Sequence, residues 1–277
     1  MTNLAPTLPL RSGGAMPQVA FGTWPMEGDE CERAVRSALE VGYRHIDTAE
    51  NYLNEEPVGK AVRESGLDRA EVFVTTKFNR KWHGDAAGGL QGNLDRLGLD
   101  YVDLALIHWP NPDQDLYVKA WEGLIELQRQ GLAKAIGTSN FKATHIDRLI
   151  AETGVVPEVN QIEMHPYYDR AAERAYHADK GIVTEAWSPL GRDNGLREEP
   201  LVQELAAQHG KTPGQILLRW SIDVGAATAP KSANPQRQAE NLDIFDFQLS
   251  AAEVEALAGL QAGPKADPMM DSDSFGH

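Results

Sequence analysis

A single cysteine, Cys31, is all the chain has, so no internal disulfide can form and nothing suggests a framework built for an oxidising compartment. Basic residues are also in short supply: 26 lysines and arginines stand against 41 acids, for a net charge of −15. Such a surface repels nucleic acid and anionic lipid at long range, which argues against either as a partner. A phosphorylated ligand is not excluded, because charges more than about 10 Å apart are largely screened at 0.1 M salt and a local basic pocket acts on its own. No apolar run approaches the roughly 18 residues of a membrane-crossing helix. Even YVDLALIHW is broken by Asp103. The opening MTNLAPTLPLRSGG lacks the basic-then-apolar order of a secretory signal, and the expectation is a cytoplasmic protein with no membrane partner. Low-complexity tracts, repeats of solenoid period and a Pro/Ser-rich linker in mid-chain are missing too. So is a GxGxxG after a strand, the phosphate-binding fingerprint of the doubly wound fold.

What is present is an alternation. Short apolar segments are followed by longer amphipathic ones: GYRHID then EEPVGKAVRESG, EVFVTTK then AAGGLQGNLDRLG, VDLALIHW then LYVKAWEGLIELQRQG. This is the rhythm of parallel strands joined by helices. It continues through LAKAIGTS, KATHIDRLIAETG, PEVNQIEM, RAAERAYHADKG, IVTEAWS, PLVQELAAQHG, GAATAPKS and NPQRQAENLDI, for about seven or eight units. Glycines such as Gly98, Gly154 and Gly181 fall just after the helical stretches, where a left-handed terminus favours them. Periodicity alone also permits an open doubly wound sheet. A single closed (β/α)8 TIM barrel over residues 1–277 explains the undivided chain better, and about 250 residues is a common size for one. Gly13-Gly14 between two apolar stretches predicts a β-hairpin before the first helix, placed to cap the bottom of the barrel. The polar, acidic end, about 264–277, reads equally as a loose tail or as a flap over the mouth.

Four polar residues stand at or just past the ends of apolar runs: Asp47 and Tyr52 in RHIDTAENY, Lys77 in EVFVTTK and His108 in DLALIHW. In a β/α barrel the carboxyl ends of strands face the open mouth, where such groups meet substrate. Taken singly each has an ordinary role. Asp47 could cap a helix, Tyr52 could pack with its hydroxyl in water, Lys77 could be solvated, and His108 could bond a carbonyl. His45 and Asp47 share one strand face and could be a metal pair. No convincing remainder of a ligand shell accompanies them, and no metal is expected.

Together the four resemble the catalytic set of the aldo-keto reductase family. The resemblance covers nearly the whole chain: GYRHIDTAENYLNEEPVG, LIHWP, AIGTSNF, VVPEVNQIEMHP, WSPLG and PKSANPQRQAENLDIFDF, in that order. Chain length and short loops are most similar to bacterial members of the 2,5-diketo-D-gluconate reductase type. The resemblance implies NADPH-dependent reduction of aldehyde or ketone carbonyls by a monomeric barrel acting on a small molecule. By it Tyr52 is the general acid, Lys77 the charge that stabilises its phenolate, Asp47 the holder of Lys77, and His108 the group that orients the carbonyl oxygen. The chemistry is apt, since a phenol with pKa about 10 donates poorly at neutral pH unless a nearby ammonium favours its anion. The rival reading is an NADPH-binding sensor or scaffold with little turnover.

For the cofactor, Lys231, Ser232 and Arg237 flank the predicted start of a helix, where free N–H groups and the helix dipole favour an anion. This reads as a site for a 2′-phosphate, although Ser232 or Asn234 as cap and Pro235 in the first turn would suit an ordinary helix start. The resemblance adds Glu240 and Asn241 at the adenine, and Ser139, Asn140 and Gln161 at the nicotinamide carboxamide. It places Trp187 on the nicotinamide ring, Ser188, Pro189, Leu190 and Gly191 at the pyrophosphate, and Gly22, Thr23, Trp24 and Asp47 nearby. Trp187 has an ordinary alternative as core, and Trp109 could equally be core packing next to Pro110. Trp24, Phe78 and Trp109, beside Tyr52 and His108, are expected to form an apolar substrate rim. Phe78-Asn79 and Leu53 depart from residues frequent in the family. Asp271 and Asp273 would repel an acidic substrate if they faced the site.

Overall fold

The computed structural model describes residues 4–260, 262–263 and 268–276. The tail positions 264–267 and 277 therefore lie outside the described residues. The chain begins with an antiparallel hairpin, β1 (Thr7–Pro9) against β2 (Ala15–Pro17), with Leu8 opposite Met16. Gly13 takes φ 91° in the turn, and the Leu10 amide donates to the Gly14 carbonyl. Leu10 and Met16 pack with Leu104, Leu106, Ala135, Val159 and Ala227 of the barrel interior, so the hairpin plugs that end.

The barrel strands are β3 (Phe21–Gly22), β4 (His45–Asp47), β5 (Phe73–Phe78), β6 (Val102–Ile107), β7 (Ala133–Ser139), β8 (Val159–Glu163), β9 (Val183–Trp187) and β10 (Ala227–Ala229). Each pairs in parallel with the next in chain order. The first and last are joined as well: the Ala20 amide donates to Thr228, the Thr228 amide to Gln18, and the Gly22 amide to Pro230. That seam closes the sheet and decides between the two arrangements the alternation allowed. Closure also removes both sheet edges.

Helices α1 (Gly28–Val41), α2 (Glu55–Arg63), α3 (Ala86–Leu97), α4 (Tyr117–Arg129), α5 (Ala143–Thr153) and α6 (Ala171–Lys180) each follow a strand. Gly154 and Gly181 end α5 and α6 in the left-handed region, at φ 72° and 66°, where a Cβ would be strained. After β9 come two helices, α7 (Pro200–His209) and α8 (Pro213–Asp223), and after β10 come α9 (Pro235–Leu242) and α10 (Ala251–Ala258). The strand–helix reading named neither α8 nor α10. Both start on a capping box, with Thr212 and Gln215 bonding each other's backbone amides in α8, and Ser250 and Glu253 in α10. Their apolar faces, with Leu217, Trp220 and Leu257, pack with Val202 and Leu205 of α7 in a cluster outside the barrel.

Candidate active site

Period-two alternation sorts each strand into an inward and an outward face. On β4 both His45 and Asp47 turn inward. The two His45 ring nitrogens lie 3.2 Å from the Pro17 carbonyl and 2.8 Å from the Thr75 hydroxyl. Burial drives the imidazole pKa down to about 4, so His45 is neutral and its 4.0 Å approach to Glu185 is no ion pair. On β5, Lys77 turns inward and has no exposed surface. Its Nζ donates to both Asp47 oxygens at 2.8 Å, to the Thr48 carbonyl at 3.0 Å and to the Tyr52 hydroxyl at 3.4 Å. Burial is the largest influence and pulls the ammonium pKa down, but the Asp47 carboxylate, with Tyr52 and Glu185 adding to it, outweighs burial and holds Lys77 above its ordinary value. For Tyr52 the order is reversed. Burial pushes the phenol up, Lys77 pulls against it, and the net direction is upward. The lowered phenol expected from the sequence is not the balance this structure strikes.

Tyr52 ends a short 3-10 turn, Glu50–Tyr52, that sequence reading did not explain. Glu50 is buried and accepts from Trp82 Nε1 at 2.9 Å and the Asn79 amide at 3.2 Å, with Lys81 Nζ at 2.7 Å. This ties the turn carrying Tyr52 to the segment after β5. Leu53 follows at φ 56°, a left-handed position. His108, just past β6, presents its ring edge to face with Tyr52 at 5.8 Å between centroids. The structure thus gathers Asp47, Tyr52, Lys77 and His108 into one cluster.

Ser139, Asn140, Gln161 and Trp187 converge beside it. The Trp187 Nε1–H donates to Asn140 Oδ1 at 2.8 Å, Asn140 Nδ2 to Ser139 Oγ at 3.0 Å, and Ser139 Oγ–H to the Gln161 carbonyl at 3.0 Å. Gln161 Nε2 donates to Asp47 Oδ2 at 2.8 Å, linking this chain of polar groups to the cluster. Thr23 is buried, with its amide and hydroxyl both donating to the Asp47 carbonyl. Gly22 faces the seam so closely that a Cβ would lie 2.9 Å from the Ala229 carbonyl oxygen. The turn of Ser188, Pro189, Leu190 and Gly191 follows β9, closed by the Gly191 amide donating to Ser188 at 2.9 Å. Trp24, 49% exposed, and Trp187 flank the Arg192 guanidinium at 5.4 and 5.3 Å.

Lys231 and Arg237 are exposed near the start of α9. Neither is in an ion pair among the described residues. Asn234 caps that helix by accepting from the Arg237 amide at 3.1 Å, and Ser232 accepts from the Asn234 amide. Asn241 is buried and Glu240 accepts from Gln236.

The expected substrate rim needs one correction. Because Lys77 points into the barrel, its neighbour Phe78 points out, and it is buried in the layer between barrel and helices against Gly89 and His83. Phe78 therefore does not face the mouth. Trp109 is buried and meets Phe275 of the tail edge to face at 4.8 Å. The tail's acids do not stand free: Lys142 Nζ lies 2.6 Å from Asp271 and 2.5 Å from Asp273, and His145 lies 3.0 Å from Asp273. The repulsion of acidic substrates expected from those two residues is thus offset by a lysine. The described part of the tail is held against the barrel.

A closed β/α barrel here brings an aspartate, a tyrosine, a lysine and a histidine together at its mouth, and comparison with known proteins gives the class. The pattern of the Aldo/keto reductase family matches residues 18–262, and the chain belongs to that family. It is 48% identical to 2,5-diketo-D-gluconic acid reductase B of Corynebacterium sp. over 93% of this chain and 94% of that one. It is 46% identical to methylglyoxal reductase DkgA of Escherichia coli K12 over 96% of this chain and 97% of that one. A crystal structure of a Gox0644 mutant in complex with NADPH superposes with a TM-score of 0.91 at 37% identity, covering 98% of each chain.

Proposed function

We propose that the protein reduces aldehyde or ketone carbonyls to alcohols with NADPH, with Tyr52 as the general acid. The observation that carries this is the buried Lys77 ammonium, fixed by Asp47 and 3.4 Å from the Tyr52 hydroxyl. When bound, NADPH would supply the hydride. Tyr52 would give its proton to the carbonyl oxygen, and Lys77 would stabilise the phenolate left behind. His108, edge to face with Tyr52, supplies a hydrogen bond that orients the same oxygen. A proton from solvent then restores the phenol.

The residues present suit the cofactor. Lys231 and Arg237 at a helix start, without an ion pair among the described residues and in a chain of net charge −15, match a 2′-phosphate better than a neutral ribose. Ser139, Asn140 and Gln161 present side-chain amides and a hydroxyl to a carboxamide, and Trp187 an aromatic face to the ring. The complex of Gox0644 with NADPH supports the choice. The substrate proposed is a small carbonyl compound, as the names of the Corynebacterium and Escherichia relatives suggest. The proposal includes a monomer working in the cytoplasm; among the described residues no helix is long and apolar enough to cross a membrane. A sensor with little turnover is not favoured, since binding alone does not call for a buried ammonium against a phenol.

The test is loss of NADPH absorbance with a panel of aldehydes and ketones, comparing wild type with Tyr52→Phe. Turnover is expected in wild type and a loss of at least about a hundredfold in the variant, with NADPH binding kept. Tight NADPH binding with no turnover on any carbonyl would overturn the proposal.

A further inference from the structure

The barrel holds a buried ionisable group that the reaction above does not use. Glu185 lies on β9 in register with Gln161 on β8, and it has no exposed surface. Its Oε2 accepts from Gln161 Nε2 at 2.8 Å, and the same Nε2 donates to Asp47 Oδ2 at 2.8 Å. A carboxamide carries two protons at one end and only lone pairs at the other. With both protons engaged by carboxyl groups, the amide cannot turn over without setting its oxygen against two acidic groups. Its Oε1 is the end left to meet a ligand.

From this geometry we propose that Glu185 is a positioning residue: with Asp47 it locks the Gln161 amide so that Oε1 faces the cofactor as an acceptor. The site then selects a ring substituent that donates, the carboxamide of nicotinamide, over a carboxylate that cannot. The inference rests on the placement of Gln161 beside the nicotinamide proposed above.

Glu185 can share the interior with Asp47 because it need not be charged. Burial pushes its carboxyl up to about 8, with Asp47 adding to the rise. The ionisable groups that face it are Asp47 and His45 of β4, Lys77 of β5 and Tyr52 of the turn after β4, and His45 is neutral. Its register neighbours, Gln161 and Ala227, do not ionise. A protonated Glu185 still accepts from Gln161 through the oxygen without the proton, and the Asp47 carboxylate, held by Lys77, offers only lone pairs and so opposes an amide turned the other way; the lock therefore holds at neutral pH.

The test measures binding of three probes: NADP+, its analogue with nicotinic acid in place of nicotinamide, and 2′,5′-ADP, which has no ring to meet Gln161. Wild type is expected to prefer NADP+ over the acid analogue. In Glu185→Leu, and in Glu185→Ala, which adds no bulk, NADP+ affinity should fall about tenfold, the loss of one well-placed hydrogen bond. The preference over the acid analogue should shrink by a similar factor, and 2′,5′-ADP should bind as before. Glu185→Gln, which keeps an acceptor for Gln161, should restore both affinity and preference. Wild-type preference in the Leu and Ala variants would overturn the inference while leaving the reductase reading intact, and so would an equal loss of 2′,5′-ADP, which marks general damage. Wild type that binds no NADP+ would overturn both. Wild type that binds NADP+ without turnover would overturn only the reductase reading, and the variant series would still decide the role of Glu185.

Discussion

Lys77 Nζ sits 2.8 Å from each carboxylate oxygen of Asp47, inside a barrel that leaves the lysine no exposed surface. Removing one partner of such a buried pair strands the other charge, at a cost of about 3–5 kcal/mol. Asp47→Ala is therefore expected to destabilise the protein by about that amount and to abolish turnover. The double change Asp47→Leu with Lys77→Met should regain much of the stability and none of the activity. Urea unfolding at pH 7 checks both, and a single variant as stable as wild type would refute the buried-pair account.

Cofactor choice depends on the start of α9. Arg237→Ala is expected to weaken NADPH about tenfold to a hundredfold, the range of a charge-assisted hydrogen bond, and to leave NADH almost unchanged. Titration of both dinucleotides into the variant makes the comparison. Equal losses would place Arg237 away from the 2′-phosphate.

The contact between Trp109 and Phe275 brings the tail to the mouth. Phe275 is 37% exposed, so Phe275→Ala should change stability by only about 0.5 kcal/mol. Its expected effect is on substrate: a raised KM for bulky apolar carbonyls, with NADPH affinity unaltered. Steady-state kinetics with small and large aldehydes separates these, and an identical KM for both in the variant would count against a roof formed by the tail.

Burial of Glu185 has a cost that depends on pH. Its carboxyl is held near 8 in the folded protein against 4.5 for an ordinary glutamate, so between these values the folded state keeps a proton that the unfolded chain has lost. The stability it allows is fully present below about 4.5 and is lost as pH rises through about 8. Glu185→Gln cannot ionise. Relative to wild type it should gain on the order of a few kcal/mol between pH 5 and pH 9. Urea midpoints across that range measure the difference, and a difference independent of pH would show that Glu185 ionises normally.

Much of this protein is legible in its sequence. Asp47, Lys77 and His108 stood out because a polar group ending an apolar strand is conspicuous, and Gly13-Gly14 marked the hairpin by local turn chemistry. The outward position of Phe78 is legible in the period of two: if Lys77 points in, its neighbour points out. Helix α8 also had a local signal, the Thr212-Pro213-Gly214-Gln215 capping box. Glu185 had none that stood apart, since IVTEAW reads as one more buried strand and a lone acid within it is silent about its partners. Glu50 was equally silent, because its role lies in contacts with Asn79, Lys81 and Trp82 on another segment.

By itself the sequence determined the strand–helix alternation, the chemistry at each strand end and the basic start of α9, because these depend on neighbours a few residues apart. The tertiary structure alone decided that the sheet closes, that Asp47 reaches both Lys77 and Gln161, and that the tail's acids turn to Lys142. The first two concern strands far apart in the chain and follow from the register that closure imposes, and the third joins the tail to the start of α5, more than a hundred residues away.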